Sequence, residues 1–282
     1  MSIVSIGWAG LGKMGNPMVQ NLLKAGYGVT VYNRSKDKVG ALLLQGAHEA
    51  HQPAMLMQTS SVVIIMVSDD KAIEAIFTGE TGLLSANSSG KIIINMSTVS
   101  PEISKKMAAL CKAQNNTYLD APVSGSVKQA VEGQLVIMVG GNEKAFEDAK
   151  PVLAHLGKLA MYVGETGAGN TAKLAINTLL AFNAQGLAEA VVFARDNGVA
   201  TTDLLTLINN SALGNVFMKI KGDAILQDNY EAVFALKHIA KDLRLAKAEG
   251  LHTPLAETVY NTFQQAEPLL GEEDIIAILK HL

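Results

Sequence analysis

The chain has 282 residues, 49% of them hydrophobic, which is enough apolar material for two separate cores and predicts two domains. Its net charge of −3 and its scattered Lys and Arg residues provide no positive field, which argues against a nucleic-acid partner. The one cysteine, Cys111, excludes an internal disulfide and fits a reducing compartment.

The N-terminal segment is predicted to be a strand rather than a signal peptide. Residues 2–7 contain no basic residue and lead directly into a glycine motif. The longest apolar run before the long helix described below, residues 62–67, is far too short to span a membrane. We therefore expect a soluble, cytoplasmic protein that does not associate with a membrane.

A glycine motif follows the first strand. Residues 3–8 have the pattern of a buried strand, Gly10-Leu11-Gly12-Lys13-Met14-Gly15 follows, and residues 17–24 can form a helix. A G-x-G-x-x-G motif alone is weak evidence, but the order strand, motif, helix is typical of dinucleotide-binding proteins. That order favours a cofactor loop over a chance glycine turn.

Each glycine of the motif has a physical reason to be there. Gly10 permits the tight turn, Gly12 lets the backbone approach a pyrophosphate, and Gly15 lets the helix pack on the strand. The helix N-terminus then faces the phosphates with unpaired N–H groups and its positive dipole end.

The second predicted strand, residues 28–32, ends in Asn33-Arg34-Ser35, and no acidic residue occurs before Asp37. NAD-selective folds usually have an Asp or Glu here for the ribose 2′-hydroxyl, whereas a nearby Arg accommodates the 2′-phosphate of NADP. Arg34 can offer a planar fork to that phosphate, and Asn33 and Ser35 can add neutral hydrogen bonds. The alternative is that Arg34 is an ordinary solvated side chain.

Further strand patterns alternate with helix patterns, at residues 62–67, 91–95 and 117–120. This repetition predicts an α/β fold of the Rossmann type, a doubly wound parallel sheet with helices on both faces. Ligands of such sheets bind beyond the carboxyl ends of the strands. The predicted cofactor contacts at these ends are Val67, Ser68, Ser97 and Thr98.

Ser124, Gly125 and Ser126 follow a proline shortly after the strand at residues 117–120. Two hydroxyl groups around a glycine form a cradle suited to a small anion, although serine–glycine turns are also common in loops without function. Residues 158–163 are the last predicted strand. The predicted domains are therefore residues 1–165, which bind the dinucleotide, and residues 166–282.

Residues 167–197 predict one long, largely buried helix without proline. Asn170, Lys173 and Asn177 recur at spacings of three and four near its start, so they share one face. A lysine between two amides on an otherwise apolar helix is a candidate site.

The second domain is predicted to be all-helical. Helix patterns cover residues 201–210, 237–249, 254–266 and 272–281, and no strand pattern interrupts them. Lys237 and Lys241 lie one turn apart, which by itself is more typical of a solvated face than of a ligand contact. Charged residues make up only 17% of the chain, which hints at a surface buried between subunits. The six histidines lack the spacing of metal ligands, so no metal is expected.

Five segments in the same order resemble the β-hydroxyacid dehydrogenases, and the resemblance extends over essentially the whole chain. The segments are residues 6–18, 95–101, 120–126, 167–177 and 241–243. The resemblance is strongest to the NADPH-dependent glyoxylate and succinic semialdehyde reductase branch. In two departures, Trp8-Ala9 replaces a common Phe-Ile pair, and Ser126 replaces a common second glycine.

This resemblance implies hydride transfer from NADPH to a small aldehyde or keto acid, giving the hydroxy acid. Lys173 would be the acid–base group and Asn177 would orient the substrate oxygen or the lysine. Burial and a helix N-terminal position would favour the neutral amine of this lysine. Ser124, Gly125 and Ser126 would hold a substrate carboxylate, and Lys241 would contact the cofactor.

Several alternatives remain open at this stage. A 3-hydroxyisobutyrate dehydrogenase, another 3-hydroxy acid dehydrogenase and an imine reductase share the architecture, although 3-hydroxyisobutyrate dehydrogenases usually carry an acid after the second strand, and imine reductases usually replace the helix lysine. A dinucleotide-binding protein without turnover is disfavoured because the lysine, asparagine and serine loop are intact. The expected assembly is a homodimer or homotetramer.

Overall fold

The computed structural model describes residues 5–282, which form two compact units. The first unit ends at Lys173 and the second is Leu174–Leu282. Ile3 and Val4 of the first predicted strand lie outside the described residues. The observed division comes later than residue 165, because the first turn of the long helix is hydrogen-bonded within the first unit.

The first unit is built on one sheet with helices between its strands. The strands are β1 Ser5–Ala9, β2 Gly28–Tyr32, β3 His48–Glu49, β4 Val62–Ile65, β5 Ile92–Asn95, β6 Thr117–Asp120, β7 Val123–Ser124, β8 Leu135–Gly141 and β9 Gly157–Gly164. The helices are α1 Gly15–Lys24, α2 Gly40–Leu43, α3 Pro53–Thr59, α4 Asp70–Thr78, α5 Pro101–Ala113, α6 Val127–Val131 and α7 Glu143–Leu153. The strand order is β3-β2-β1-β4-β5-β6-β8-β7, and β9 pairs with β8.

Both faces of the sheet are covered, as the predicted doubly wound fold requires. Successive strand residues point to opposite faces. Ile64 accordingly packs in a cluster with residues of α1 and α7, whereas its neighbours Val63 and Ile65 pack with residues of α3, α4 and α5. Strands β1, β4, β5 and β6 run parallel, so their carboxyl ends lie along one edge.

The sheet is not purely parallel, because β8 runs antiparallel to both β6 and β7. The chain returns after β6, and Ser124 of β7 pairs with Val136 of β8. Strands β3 and β7 were not predicted, since two residues cannot show an alternation. Helices α3 and α6 were not predicted, since five to seven residues form fewer than two helical turns.

The second unit is helical. Its helices are α8 Ala168–Asp196, which begins in the first unit, α9 Thr201–Asn209, α10 Val216–Leu226, α11 Leu236–Ala248 and α12 Pro254–Leu270. The core is apolar and includes Leu187, Val191, Leu205, Ile239 and Phe263. Among residues 5–282, α8 is the one helix with the length and composition of a membrane span, a property that core helices share.

The last predicted helix, residues 272–281, is corrected by the structure to a 3-10 helix, Ile275–Lys280. Asp274 fixes its start, because the carboxylate accepts hydrogen bonds from the N–H groups of Ile276, Val233 and Phe234. Lys221 of α10 pairs with the same carboxylate at 2.7 Å. Helix α10 was not predicted; Val216 and Ile220 are exposed, so its apolar residues do not mark one buried face.

Candidate active site

The glycine loop after β1 has the shape that a dinucleotide pyrophosphate requires. Gly10 has a φ of +102°, and a Cβ there would lie 2.1 Å from the carbonyl oxygen of Met66. A Cβ on Gly15 would lie 2.1 Å from the carbonyl oxygen of Gly10. Around Gly12, in contrast, no heavy atom lies within 4 Å of a built Cβ. The loop is therefore closely packed at its two ends and open at its centre, where the pyrophosphate would approach the backbone of Gly12.

The start of α1 also suits an anion. Its N-cap residue, Met14, makes no side-chain hydrogen bond to the first turn, and that turn contains no acidic residue. The N-terminal N–H groups are thus not capped by the side chain at this position, and the helix dipole adds partial positive charge. Together with the open Gly12, these features fit the pyrophosphate of a dinucleotide.

Two side chains support the loop from within the protein. The indole Nε1 of the buried Trp8 donates to the carbonyl of Gly10 at 2.8 Å, a bond that a Phe could not make. Asn33 accepts from the N–H of Leu11 at 2.8 Å and donates to the carbonyl of Ser35 at 2.8 Å. Asn33 is therefore part of the loop's internal bonding, besides its predicted hydrogen bond to the cofactor.

Arg34 and Ser35 are exposed at the end of β2. Within residues 5–282, the guanidinium of Arg34 has no hydrogen bond or ion pair in the structure. Lys36, Asp37 and Lys38 follow in a short 3-10 turn, so the strand end keeps a net positive charge with Arg34. This charge suits a phosphate better than a neutral ribose hydroxyl.

The predicted contacts after β4 and β5 are joined by hydrogen bonds. The N–H of Val67 donates to Oγ of Ser97 at 2.9 Å, and the N–H of Ser97 donates to the side chain of Asn95 at 3.0 Å. Asn95 in turn donates to the hydroxyl of Tyr118 at 2.9 Å. Ser68 donates to the carboxylate of Asp69, and Thr98 is half-buried. The network holds the ends of β4 and β5 in a fixed relation.

The start of α8 is fixed by Asp120, which is fully buried at the end of β6. Its two carboxylate oxygens accept from the N–H groups of Gly167 and Asn170, each at 2.8 Å. Burial raises the pKa of this carboxyl, while backbone donors from the helix start act to lower it. A Cβ on Gly169 would lie 2.5 Å from the carbonyl oxygens of Asp120 and Met138, so only glycine permits this approach.

Asn170 connects α8 to the loop after β5. Its side-chain oxygen accepts from the N–H of Val99 at 3.0 Å, and its amide nitrogen donates to Oγ of Ser104 at 3.2 Å. All of these groups are buried. Of the two amides predicted to flank the lysine, Asn170 thus positions the helix against the predicted cofactor loop.

Lys173 and Asn177 lie one turn apart on α8, and both are buried, with 8% and 2% of their surface exposed. Asn177 donates from Nδ2 to Oδ2 of Asp242 at 2.5 Å. The ammonium of Lys241, the preceding residue on α11, lies 3.1 Å from the other oxygen of Asp242. Asp242 therefore contacts two predicted site residues, Asn177 and Lys241. Sequence reasoning assigned it no role, although its place beside Lys241 was a signal.

The two hydroxyl groups of the loop Ser124-Gly125-Ser126 differ in their hydrogen bonds. Ser124 ends β7 and is half-buried, and its hydroxyl has no hydrogen-bond partner among the described residues. Ser126 caps the short helix α6 and is bonded to Gln129. Gly125 between them has a φ of +139°, which favours glycine. No group of three His, Cys, Asp or Glu within residues 5–282 could hold a metal ion.

Two family models match the chain. The NAD-binding domain of 6-phosphogluconate dehydrogenase matches residues 5–164, and the NAD-binding domain of NADP-dependent 3-hydroxyisobutyrate dehydrogenase matches residues 167–282. A solved structure of 3-hydroxyisobutyrate dehydrogenase from Mycobacterium tuberculosis with L-serine is similar, with a TM-score of 0.91 and 26% identity. That similarity covers 99% of this chain and 98% of the other.

Curated relatives extend the comparison. Glyoxylate/succinic semialdehyde reductase 1 of Arabidopsis thaliana is 34% identical over 282 residues, which covers 98% of each protein. Cytokine-like nuclear factor N-PAC of Xenopus tropicalis is also 34% identical over 98% of this chain, which spans only 52% of that longer protein. The chain thus belongs to the β-hydroxyacid dehydrogenase family, whose members are NAD(P)-dependent dehydrogenases and reductases that act on hydroxyl groups.

Proposed function

We propose that the protein reduces a small aldehyde or keto acid, of the glyoxylate or succinic semialdehyde type, to the hydroxy acid with NADPH. The observation that carries the proposal is a buried lysine, Lys173, near the start of a helix whose first turn is hydrogen-bonded to the predicted cofactor loop through Asn170. When bound, NADPH supplies the hydride. Gly10, Gly12, Gly15 and the exposed Arg34 would hold it, because they fit its pyrophosphate and its 2′-phosphate.

The protein's own residues then transfer the proton, orient the substrate and bind its carboxylate. Lys173 donates a proton to the carbonyl oxygen as that oxygen gains negative charge, and removes the alcohol proton in the reverse direction. Asn177 orients the substrate oxygen or the lysine, since Asp242 fixes the direction of its amide. The serine loop binds the substrate carboxylate, with Ser124 as a hydroxyl donor that has no partner among the described residues.

The relatives support this substrate class, and they also support other activities for the protein. The Arabidopsis thaliana relative is named for glyoxylate and succinic semialdehyde, whereas the similar Mycobacterium tuberculosis structure is a 3-hydroxyisobutyrate dehydrogenase. Dehydrogenation of 3-hydroxyisobutyrate or another 3-hydroxy acid is therefore the second candidate, and imine reduction the third. N-PAC is not named as an enzyme, so NADP binding without turnover is a fourth candidate.

We further propose a cytoplasmic homodimer or homotetramer. Leu179 and Phe193 of α8 are 60% and 72% exposed, and Leu213 and Val216 lie exposed before and at the start of α10. Large apolar side chains grouped in one unit favour burial against a second copy. Light scattering of the purified chain tests this assembly.

The activity is tested by following NADPH oxidation with glyoxylate, succinic semialdehyde, methylmalonate semialdehyde and a cyclic imine. We expect turnover with the first two, and the Lys173→Ala variant, prepared identically, controls for contaminating reductases. Turnover only with methylmalonate semialdehyde, or only with the imine, would select the second or third candidate. Tight NADPH binding with no turnover across the panel would select the fourth.

A further inference from the structure

Ser126 differs from Ser124 in that its hydrogen bonds are already made. Its N–H donates to Oε1 of Gln129 at 2.8 Å, and its Oγ donates to the same oxygen at 2.5 Å. Because a serine hydroxyl has one hydrogen, Oγ of Ser126 has none left to donate. The backbone N–H fixes which end of the Gln129 amide faces Ser126, since a donor requires the oxygen.

Gln129 reaches this position across Gly125. A Cβ on Gly125 would lie 2.8 Å from Cδ2 of Leu135, 3.0 Å from Cβ and 3.5 Å from Cγ of Gln129. The aliphatic part of the glutamine, together with Leu135, therefore lies against the place of the missing side chain. Gly125 is exposed, whereas Gln129 is half-buried. The glutamine amide therefore lies directly beside the loop that is proposed to bind the substrate.

The oxygen of Gln129 receives one N–H and one O–H donor, the same pair that a carboxylate oxygen would receive from this residue. We propose that Gln129 is a specificity-determining residue, whose amide oxygen competes with the substrate carboxylate for the two donors of Ser126. The inference rests on the proposed role of the loop in carboxylate binding. Ser124 then provides the donor that is available at once, and Ser126 becomes available only when Gln129 is displaced.

The competition has a predictable direction. A carboxylate forms stronger hydrogen bonds than a neutral amide, so a charged substrate can displace Gln129, at a cost in affinity. A side chain of the same length without the amide removes that cost. A glutamate at position 129 increases it, because a carboxylate binds Ser126 more strongly and also repels the substrate.

The experiment compares Gln129→Met, Gln129→Glu and Ser124→Ala on two substrates of equal chain length, succinic semialdehyde and butanal, at saturating NADPH. We expect Gln129→Met to lower KM for succinic semialdehyde by roughly 3- to 10-fold and Gln129→Glu to raise it by at least as much. Butanal, which has no carboxylate, should show an unchanged KM, and kcat should remain unchanged for both substrates. Gln129→Glu retains the acceptor that caps α6, so a folding defect in Gln129→Met would not end the test.

Ser124→Ala separates the inference from the proposed function. If this variant raises KM for succinic semialdehyde while both Gln129 variants leave it unchanged, the loop binds the carboxylate and the role of Gln129 is refuted. Equal changes of KM for butanal and succinic semialdehyde in the Gln129 variants would also refute it. If Ser124→Ala and both Gln129 variants change neither KM, the proposed carboxylate loop and the inference fail together.

Discussion

Asn177 donates a hydrogen bond from Nδ2 to Oδ2 of Asp242 at 2.5 Å, and both side chains are buried. This bond leaves the side-chain oxygen of Asn177 directed away from Asp242, so the amide presents a defined acceptor. An amide that could rotate would present either group. In the proposed mechanism, Asp242 would therefore determine which hydrogen-bonding group Asn177 offers to the substrate oxygen or to the lysine.

We expect Asp242→Ala to lower kcat, because the amide of Asn177 is then free to turn away from the orientation that the bond to Asp242 imposes. A hydrogen bond to a charged acceptor is worth about 1.5–3 kcal/mol, so losing this orientation can lower kcat by at most roughly 150-fold. Asp242→Asn is the matched control, since its oxygen can still accept from Asn177 and should restore part of the rate. NADPH titration of both variants shows whether Lys241 is also affected. Equal losses of kcat in the two variants would contradict the orienting role.

Lys173→Ala should lower kcat by roughly 10²- to 10⁴-fold, the range for one general acid–base group, and leave NADPH binding nearly unchanged. Lys173→Arg distinguishes proton transfer from charge. An arginine retains the positive charge but does not give up its proton in proteins. Single-turnover rates of both variants should therefore fall. A Lys173→Arg enzyme with wild-type turnover would show that only the charge matters.

The doubly wound fold and the glycine loop could be predicted because both depend on local patterns. Apolar runs of four to six residues mark the central strands, and Gly10, Gly12 and Gly15 have separate steric roles that spacing reveals. The family comparison confirms the fold and its NAD-binding domain. The helix start at Asp274 was misplaced because its carboxylate binds N–H groups about 40 residues earlier, which no local pattern shows.

The hydrogen bonds within the candidate site could not be predicted as well from the sequence. The contacts of Asn170 with Val99, of Asn177 with Asp242 and of Asp120 with Gly167 join residues 47 to 71 positions apart. Such pairs are set by the packing of whole elements. The Ser126–Gln129 contact is local, and a serine three residues before a glutamine is a recognised capping pattern. That signal was present in the sequence and was not used.

The buried thiol of Cys111 should lower the free energy of unfolding at alkaline pH. Burial raises the pKa of its thiol from 9.0 to about 12. Between these values the unfolded chain releases a proton that the native chain retains, so the free energy of unfolding falls as pH rises, by roughly 1.4 kcal/mol per pH unit. Below pH 9 the thiol is protonated in both states and has no such effect.

Urea unfolding of the wild type and of Cys111→Ala across this alkaline range measures the effect. The difference in unfolding free energy between the two should change with pH in the stated direction, because groups whose pKa does not depend on Cys111 titrate alike in both proteins and cancel. Cys111 is the only cysteine in the chain, so a thiol reagent should label the protein only on unfolding. Parallel pH profiles for the two proteins, or rapid labelling of the native state, would contradict the burial of the thiol.

We expect the preference for NADPH over NADH to depend on Arg34. If its guanidinium pairs with the 2′-phosphate, the contact exists only for NADPH, so Arg34→Ala should weaken NADPH and leave NADH almost unchanged. Losing a charge-assisted pair of about 1.5–3 kcal/mol corresponds to roughly a 10- to 150-fold rise in the NADPH Kd. Lys36→Ala removes a neighbouring exposed cation and is the matched control. Its effect should be smaller and should diminish more strongly with added salt.

A second change should reverse the preference. Asn33→Asp combined with Arg34→Ala places a carboxylate at the end of β2, which repels the phosphate and can accept from the 2′-hydroxyl of NADH. The aspartate can still accept from the N–H of Leu11, although it loses the donor to the carbonyl of Ser35. The glycine loop should therefore remain formed in this variant. Trp8, the only tryptophan, is hydrogen-bonded to that loop, so its fluorescence should change when the cofactor binds.

Titrations of the wild type and the three variants with NADPH and NADH, at one fixed ionic strength, decide the assignment. The wild type should bind NADPH more tightly, Arg34→Ala should bind the two cofactors more equally, and the double variant should favour NADH. A wild type that binds NADH as tightly as NADPH would refute the NADP assignment. The fold, the glycine loop and the role of Lys173 would not be affected, because none of them depends on the 2′-phosphate.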